Sequence, residues 1–239
     1  MTSRSETGHA RNVANFETMI SFCTAYGAAY NPSKQSLKIT SLNTLLMRSR
    51  SSLSDTATAK NQLDLVINER QIKFTTLKPT ATRIINALAA TDASQQTIDD
   101  AKSINNKIQG RRSTAKPKDG EEKRTISTSQ QSYDNQLENF LKLIDLISAE
   151  PSYAPNEEDL KVETLTTYAG ELQNANTKVI NANTEYSNAM ISRNESLYAV
   201  NTGVVDTALN IKKYVKSLFG ASSPQYKQIS KLIFRTKEI

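Results

Sequence analysis

Two segments of the chain carry apolar residues at a spacing of seven, in two interleaved series that match the a and d positions of a heptad repeat. In the first segment the series are Ile39, Leu46, Leu53, Lys60, Ile67 and Phe74, and Leu42, Ser49, Thr56, Leu63, Arg70 and Leu77. In the second they are Val162, Ala169, Asn176, Asn183, Met190 and Leu197, and Leu165, Leu172, Val179, Tyr186, Arg193 and Val200. The pattern predicts two long helices.

Each long helix would be on the order of 60 Å in length, because about forty residues rise 1.5 Å each. Helices obtain most of their stability by packing one face, so a helix of this length needs a partner along it. The other long helix is the obvious partner. The all-α class follows, since no segment shows the alternation of a strand.

The middle of both series is polar. Buried polar residues at a positions can set the register of paired helices, and we expect this of Asn176 and Asn183. The alternative is that these stretches are solvated. Arg70 and Arg193 occupy equivalent positions, where they could extend along their aliphatic stems to water or pair with Glu69 or Glu195.

The two halves of the chain resemble each other, which predicts an internal duplication. Residues 15–109 form the predicted helical repeat 1, and residues 128–239 form the predicted helical repeat 2. The matched residues include Asn15-Phe16 and Asn139-Phe140, Tyr30-Asn31-Pro32 and Tyr153-Ala154-Pro155, Leu37-Lys38 and Leu160-Lys161, and Arg70 and Arg193. We therefore expect an elongated antiparallel bundle, or coiled coil, with two pseudo-symmetric repeats.

Two further segments lie outside the repeats. Residues 1–14 are assigned to an N-terminal tail. Residues 110–127 hold nine charged residues, two glycines and one proline, which is typical of a solvated linker.

A shorter apolar stripe precedes each long helix. Phe16, Met19, Ile20 and Cys23 lie on one helix face, and Leu137, Phe140, Ile144 and Ile147 form its counterpart. Gly27 predicts that the first helix frays or ends nearby. Because Cys23 lies on the stripe, we interpret it as a small buried apolar residue rather than a nucleophile.

Proline, glycine and capping residues predict where the helices begin and end. Ser33 and Asn156, next to Pro32 and Pro155, are expected to be N-caps of the long helices. Breaks are expected at Pro79 and Gly203, which lie close to each other in the alignment of the repeats. Ser223 followed by Pro224 predicts another helix start.

The acidic run Glu157-Glu158-Asp159 could be interpreted as a cation site. Acidic residues are also favoured in the first turn of a helix, where the helix dipole stabilises negative charge. Adjacent residues of a helix do not face one another, so we favour the helix start.

Composition excludes most catalytic chemistry. The chain has one cysteine and one histidine, His9, so a multi-cysteine zinc site and an H-E-x-x-H motif are impossible. The sequence contains no glycine-rich phosphate loop and no G-x-S-x-G elbow. We predict no enzyme activity, no cofactor, no metal and no small-molecule substrate.

The net charge of +6 is concentrated in the linker, which supplies half of it. The linker's basic residues are Arg111, Arg112, Lys116, Lys118, Lys123 and Arg124. They could contact phosphate groups of a nucleic acid or an anionic membrane surface. Residues 110–124 contain no aromatic side chain on which a base could stack, so a solvated loop is the competing interpretation.

The N-terminal residues MTSRSETGHARNVANF contain no long apolar stretch, so we expect no secretory signal peptide. The sequence has no uninterrupted run of about 18 apolar residues, so we expect no transmembrane helix. A cytoplasmic location is the expectation, with export by a route that reads no N-terminal signal left open.

Six motifs carry a resemblance: Asn15-Phe16, Tyr30-Asn31-Pro32-Ser33, Leu37-Lys38, Ile108-Gln109-Gly110-Arg111-Arg112, Ala115-Lys116-Pro117-Lys118 and Ser223-Pro224-Gln225-Tyr226-Lys227. With them the chain resembles a family of uncharacterised bacterial proteins of the Bacteroidetes group, over nearly its whole length. The resemblance implies an all-helical fold, and it implies no activity, cofactor or site residue.

These observations favour a non-catalytic structural or scaffolding protein that acts through helix packing. We expect it to associate with itself or with another protein. The alternative is a protein that binds an anionic polymer or a membrane surface through the basic linker.

Overall fold

A computed structural model describes residues 4–111 and 131–236, with side chains from Gly8 onward in the first range. In these ranges the chain is all-α and has no strand. The helices are α1 (Arg4–Ala25), α2 (Ile39–Thr75), α3 (Leu77–Ala89), α4 (Gln95–Gln109), α5 (Tyr133–Ser148), α6 (Val162–Tyr198), α7 (Val204–Phe219) and α8 (Pro224–Ser230).

The chain divides into two compact units. Unit 1 consists of Met1–Gln62 and Asn183–Ile239, and unit 2 of Leu63–Ala182. The divisions lie inside α2 and α6, so each long helix contributes to both units. The units differ from the predicted repeats 15–109 and 128–239, because each unit contains parts of both repeats.

Each unit has its own apolar core. The core of unit 1 includes Phe16, Met19, Leu42, Leu197, Ile211 and Ile229. The core of unit 2 includes Leu77, Ile84, Ile108, Phe140, Leu165 and Leu172. Most of these residues lie on the helix stripes that the apolar spacing predicts.

Helix α1 begins earlier than the sequence analysis expects. Residues 4–14, which we assigned to an N-terminal tail, are helical. Within them His9, Asn12 and Val13 are buried, and His9 Nδ1 lies 2.6 Å from the hydroxyl oxygen of Tyr198. Tertiary packing of these side chains accounts for the longer helix. Its other end, at Ala25 shortly before Gly27, confirms the predicted stop.

Neither long helix begins at its predicted cap. A 3-10 turn at Gln35–Leu37 precedes α2, and a turn at Glu158–Leu160 precedes α6. The predicted N-caps Ser33 and Asn156 lie before these turns, so that prediction is wrong.

A tyrosine secures each of the two turns. The Tyr30 hydroxyl donates to the carbonyl oxygen of Leu37 at 2.9 Å. The Tyr153 hydroxyl donates to the carbonyl oxygen of Leu160, also at 2.9 Å. The local anchor before each long helix is therefore a buried tyrosine rather than a capping side chain.

The predicted heptad series are largely buried or half-buried. The buried members are Leu42, Leu46, Ser49, Thr56, Leu63, Phe74 and Leu77 in the first segment, and Leu165, Ala169, Leu172, Asn176, Arg193 and Leu197 in the second. Val200 is 76% exposed, because α6 ends at Tyr198. Asn183 is exposed, so the register role expected of it is wrong.

Both predicted breaks are present. Helix α2 ends at Thr75 and α3 begins at Leu77, with Pro79 in its first turn, where proline is tolerated. Gly203 directly precedes α7, and the φ and ψ angles there are −76° and 164°. Ser223 caps α8 through its side chain, which accepts from the Tyr226 amide, and this confirms the predicted Ser223-Pro224 start.

Candidate functional site

The basic linker lies mostly outside the described residues. Of the six predicted anion-binding residues, Arg111 alone falls in the part that the structure describes. It is exposed, and its backbone amide donates to the carbonyl oxygen of Asn106 at 2.8 Å. The other five, Arg112, Lys116, Lys118, Lys123 and Arg124, lie outside the described residues, so anion binding by the linker stays a prediction.

Buried hydroxyl groups on α2 bond to helix carbonyls. Ser49 Oγ donates to the carbonyl oxygen of Leu45 at 2.8 Å. Thr56 Oγ1 lies 2.7 Å from the carbonyl oxygen of Ser52 and 3.2 Å from that of Ala189 on α6. These hydroxyls are satisfied inside unit 1, and the Thr56 contact joins the two long helices there.

A polar cluster lies between α2, α5 and α6 in unit 2. The buried Asn176 donates through Nδ2 to Asp134 Oδ1 at 2.9 Å. The Arg70 guanidinium carbon lies 4.1 Å from the ring centroid of Tyr133, a cation–π contact. Arg70 therefore contacts an aromatic ring, and Glu69 faces Lys178 instead at 3.8 Å.

Two buried atoms of this cluster lack a hydrogen-bond partner among the described residues. They are Nε of Arg70, a donor, and Oδ1 of Asn176, an acceptor. Such buried groups lower stability, because each has lost its hydrogen bonds to water. Buried polar residues that set the register of paired helices usually lower stability. For Asn176, this role in setting the register stays a prediction.

A small cleft in unit 2 is lined by charged residues of α2 and α6. Its volume is about 110 Å³, and the lining includes Val66, Glu69, Lys73, Glu171 and Lys178. Lys73 Nζ lies 2.6 Å from Glu171 Oε2. Because its two lysines face its two glutamates, the cleft has balanced charge and offers no excess of either sign to a ligand.

Cys23 lies in the core of unit 1 beside Tyr30. Burial raises the pKa of the Cys23 thiol to about 12, and a hydrogen bond with Tyr30 offsets part of that effect. Burial also raises the pKa of Tyr30. The thiol is therefore protonated at neutral pH, and thiolate is the reactive form. The structure confirms that Cys23 is a buried residue of the apolar stripe.

The acidic run before α6 forms ion pairs. Asp159 accepts two hydrogen bonds from the Arg83 guanidinium of α3, which lowers the pKa of its carboxyl group. Glu158 Oε2 lies 2.6 Å from Lys161 Nζ. Helix α6 begins only at Val162, so the run is not its first turn as we expected. Among the described residues, no group of three acidic, cysteine or histidine side chains could hold a metal ion.

The C-terminal arm, defined here as residues 221–236, contains α8 and an extended end that lies against α1. The side-chain amide of Asn12 makes two hydrogen bonds to the backbone of Arg235. Its Nδ2 donates to the carbonyl oxygen of Arg235 at 2.8 Å, and its Oδ1 accepts from the Arg235 amide at 2.9 Å. Asn15 Nδ2 donates to the carbonyl oxygen of Ile233 at 2.7 Å. The two asparagines therefore bind main-chain atoms of the arm.

Helix α7 provides a third contact to the arm. Lys212 Nζ donates to the carbonyl oxygens of Ser230 at 3.3 Å and Leu232 at 2.5 Å. Burial lowers the pKa of Lys212. At the other end of the arm, the Tyr26 hydroxyl donates to the carbonyl oxygen of Gln225 at 3.0 Å. Helices α1 and α7 thus form a groove that binds an extended backbone.

The pattern of residues along the chain does not predict this groove. Asn12, Asn15 and Lys212 are single polar residues on amphipathic helices, and such residues usually face water. The buried Asn12 is distinguished only by its tertiary contact with Arg235. Its position near the apolar residues Val13 and Phe16 is the one signal in the sequence.

No family model matches the chain, and neither a curated protein nor a solved structure matches it. The comparisons therefore supply no relative from which a function could be transferred. None of the helices in the described ranges has the length and apolar character that crossing a bilayer requires.

Proposed function

We propose that this protein is a non-catalytic structural or scaffolding protein that acts through helix packing and associates with itself. The supporting observation is apolar surface left over on well-packed helices. Leu65 and Ile72, one heptad apart on α2, are 57% and 70% exposed, and Ile191 on α6 is also exposed. Contacts between chains would remove this surface from water, which favours association.

The roles of the polar groups support the same proposal. The buried hydroxyls of α2 bond to helix carbonyls, the charges of the unit 2 cleft are paired, and the Cys23 thiol is protonated in a core. Each of these groups bonds to another group of the described chain or lies in a core. Such use is typical of a protein that works through its shape rather than through catalysis.

We also propose that the chain is an internal duplication folded as an elongated antiparallel bundle. Helices α2 and α6 each have 37 residues, and each follows a 3-10 turn. The hydroxyls of Tyr30 and Tyr153 each bond to the carbonyl oxygen of the residue seven positions later. These matched features support duplication of a common unit.

The first experiment is the solution mass of the intact chain, measured by light scattering over a concentration series. We expect a dimer or a larger assembly above the 26.5 kDa of one chain. Association that buries apolar surface should persist in high salt, whereas association through exposed charges should weaken. A mass of one chain at every concentration would contradict self-association.

A second candidate function is binding of an anionic polymer or membrane surface by the basic linker. The observation in its favour is the exposed Arg111 at the beginning of the linker, shortly after α4. Four linker residues would be neutralised together: Arg111→Gln, Arg112→Gln, Lys116→Gln and Lys118→Gln. The loss of four phosphate contacts should weaken binding to mixed-sequence DNA by about tenfold or more.

The matched control removes four exposed charges elsewhere: Lys34→Gln, Lys38→Gln, Arg48→Gln and Lys227→Gln. Both variants have the same net charge, so a specific role of the linker predicts a larger loss in the linker variant. Equal loss in both would indicate that net charge alone attracts the DNA. Vesicles with and without anionic lipid distinguish a membrane surface from a nucleic acid.

A further inference from the structure

The hydrogen bonds that hold the extended end of the C-terminal arm go to its main chain, and the side chains of Leu232 and Phe234 pack against the core of unit 1. Asn12, Asn15 and Lys212 bind main-chain amide and carbonyl groups of residues 230–235. Ile233, in the middle of this stretch, is 72% exposed. The same contacts would therefore form with an identical arm from another copy of the chain.

An empty groove is unfavourable. Asn12 is fully buried, and removal of the arm would leave its amide without the two bonds to Arg235. Lys212 would lose two carbonyl acceptors as well. Removal of the arm would also expose apolar side chains, because Ile229 is fully buried and Leu232 and Phe234 pack against the core of unit 1. A departing arm is therefore best replaced by an identical arm.

The arm is joined to α7 by a turn with a distinctive glycine. Gly220 has φ and ψ angles of 88° and 158°, a conformation essentially restricted to glycine. A Cβ atom at Gly220 would meet nothing within 4 Å. The turn is held by the backbone conformation of Gly220 and by two hydrogen bonds to its carbonyl oxygen, from the Ser223 hydroxyl at 2.8 Å and the Ser223 amide at 3.3 Å. A change in the Gly220 angles would release the arm, so Gly220 is the candidate hinge.

We propose that two copies of the chain associate by exchanging their C-terminal arms, with Gly220 as the hinge. Each arm then occupies the groove of α1 and α7 in the other copy. Exchange of identical elements reproduces the contacts of the monomer and needs no new complementary surface. This inference rests on the proposed self-association and names the segment that forms it.

The first test detects exchange directly by cross-linking in the full chain. Gly8 and Arg235 are suitable positions, since a Cβ atom at Gly8 would lie 3.6 Å from Cδ of Arg235. A Gly8→Cys variant is mixed with an Arg235→Cys variant at high concentration and treated with a short bismaleimide. A link between positions 8 and 235 can then form only between two chains.

Mass spectrometry of the linked peptides gives the result. We expect the 8–235 link in the mixture at a yield that rises with the fraction of dimer. The collision control replaces Arg235→Cys by Met47→Cys, whose parent side chain is 63% exposed. A yield of 8–235 links no higher than that of 8–47 links would overturn the exchange.

The second test changes the hinge. Alanine at Gly220 strains the closed turn, and opening of the turn relieves that strain in both copies of the dimer. Gly220→Ala should therefore lower the dimer dissociation constant by about tenfold or more. Gly27→Ala is the matched control, because Gly27 also has a positive φ, 59°, with nothing within 4 Å, but lies outside the hinge.

The two tests separate this inference from the proposed function. A dimer without the 8–235 link, or with a dissociation constant unchanged in Gly220→Ala, would overturn arm exchange and leave self-association standing. A mass of one chain at all concentrations, in the wild type and in Gly220→Ala, would overturn both. Circular dichroism checks that each variant remains helical.

Discussion

Individual side chains of this protein use their polar groups to complete local structure. Tyr30 and Tyr153 each close the turn before a long helix, and Asn12 binds an extended backbone through both ends of its amide. Cys23 contributes a buried thiol to a core. The role of Asn12 depends on a neighbour distant in sequence, and the roles of the two tyrosines depend on a particular turn. The type of each residue is therefore not enough to predict its role.

The thiol of Cys23 should be unreactive in the folded protein. Burial raises its pKa to about 12, so the thiolate is scarce at pH 8 and reagents cannot reach it. We expect Ellman's reagent to modify Cys23 only as fast as the chain opens. Full reaction in denaturant provides the control. Rapid stoichiometric reaction of the native protein would contradict this prediction.

Tyr153 should make stability depend on alkaline pH. Burial raises its pKa from 10.0 to about 12 in the folded chain. The contribution of Tyr153 to the free energy of unfolding is therefore complete below pH 10. It is lost as the pH rises from about 10 to about 12, because the Tyr153 hydroxyl ionises at lower pH in the unfolded chain than in the folded chain. Tyr153→Phe should cost about 1 kcal/mol at pH 7, because the bond to the Leu160 carbonyl is lost.

The measurement is urea unfolding of the wild type and Tyr153→Phe between pH 7 and pH 11. The difference between their free energies of unfolding should shrink at the alkaline end. Tyr30→Phe should behave in the same way in unit 1, because its hydroxyl makes the matching bond to Leu37. Parallel pH profiles for wild type and variant would show that the hydroxyl is not responsible.

Among the helices and turns, apolar stripes are easier to predict than starting points. Apolar spacing identifies α2 and α6, and Gly203 and Pro79 mark the breaks. The starts are missed at Ser33 and Asn156, because a 3-10 turn intervenes before each long helix. A capping side chain contributes only about 1 kcal/mol, and here the buried tyrosine bonds hold the backbone instead.

Glycine is required at position 203 because the backbone of the preceding turn lies close to the position that a Cβ atom would occupy. A Cβ atom at this position would lie 2.6 Å from the backbone nitrogen of Ala199 and 2.9 Å from its carbonyl oxygen. Gly203→Ala should therefore lower the free energy of unfolding by about 2 kcal/mol or more, as overpacking against backbone cannot be relieved cheaply. Urea unfolding followed by circular dichroism measures the loss.

Gly170 is the matched control for this substitution. It lies inside α6, and a Cβ atom there would meet nothing within 4 Å. Gly170→Ala should raise stability by about 0.5–1 kcal/mol, because alanine loses less backbone entropy in a helix. Equal effects of the two substitutions would show that contact with Ala199 does not matter.

Across the complete chain, continuous helices link the two units. Helix α2 places Leu42 in the core of unit 1 and Phe74 in that of unit 2, and α6 does the same with Leu197 and Leu165. If one core unfolds, one part of each long helix therefore loses the packing that stabilises it. The units should consequently unfold together.

Two core substitutions test this coupling. Phe16 in unit 1 and Phe140 in unit 2 are fully buried, so Phe16→Ala and Phe140→Ala should each cost about 3–5 kcal/mol. We expect either variant to accelerate amide hydrogen exchange in both units to a similar degree. Acceleration confined to the unit that carries the substitution would show that the units unfold independently.

The order of residues along the chain is enough to establish the all-α class, the apolar faces of the helices and the main breaks between them. These features depend on residues close in the chain, where helical spacing and the backbone preferences of glycine and proline act directly. Folding in three dimensions selects which faces meet: α1 with α7 and α8, and α5 with α3 and α4. An apolar stripe identifies the side to be buried, but the hydrophobic effect has no direction and does not name the partner. The groove that holds the C-terminal arm depends on the same selection, because Asn12 and Lys212 become neighbours of the arm only after α1 and α7 have packed.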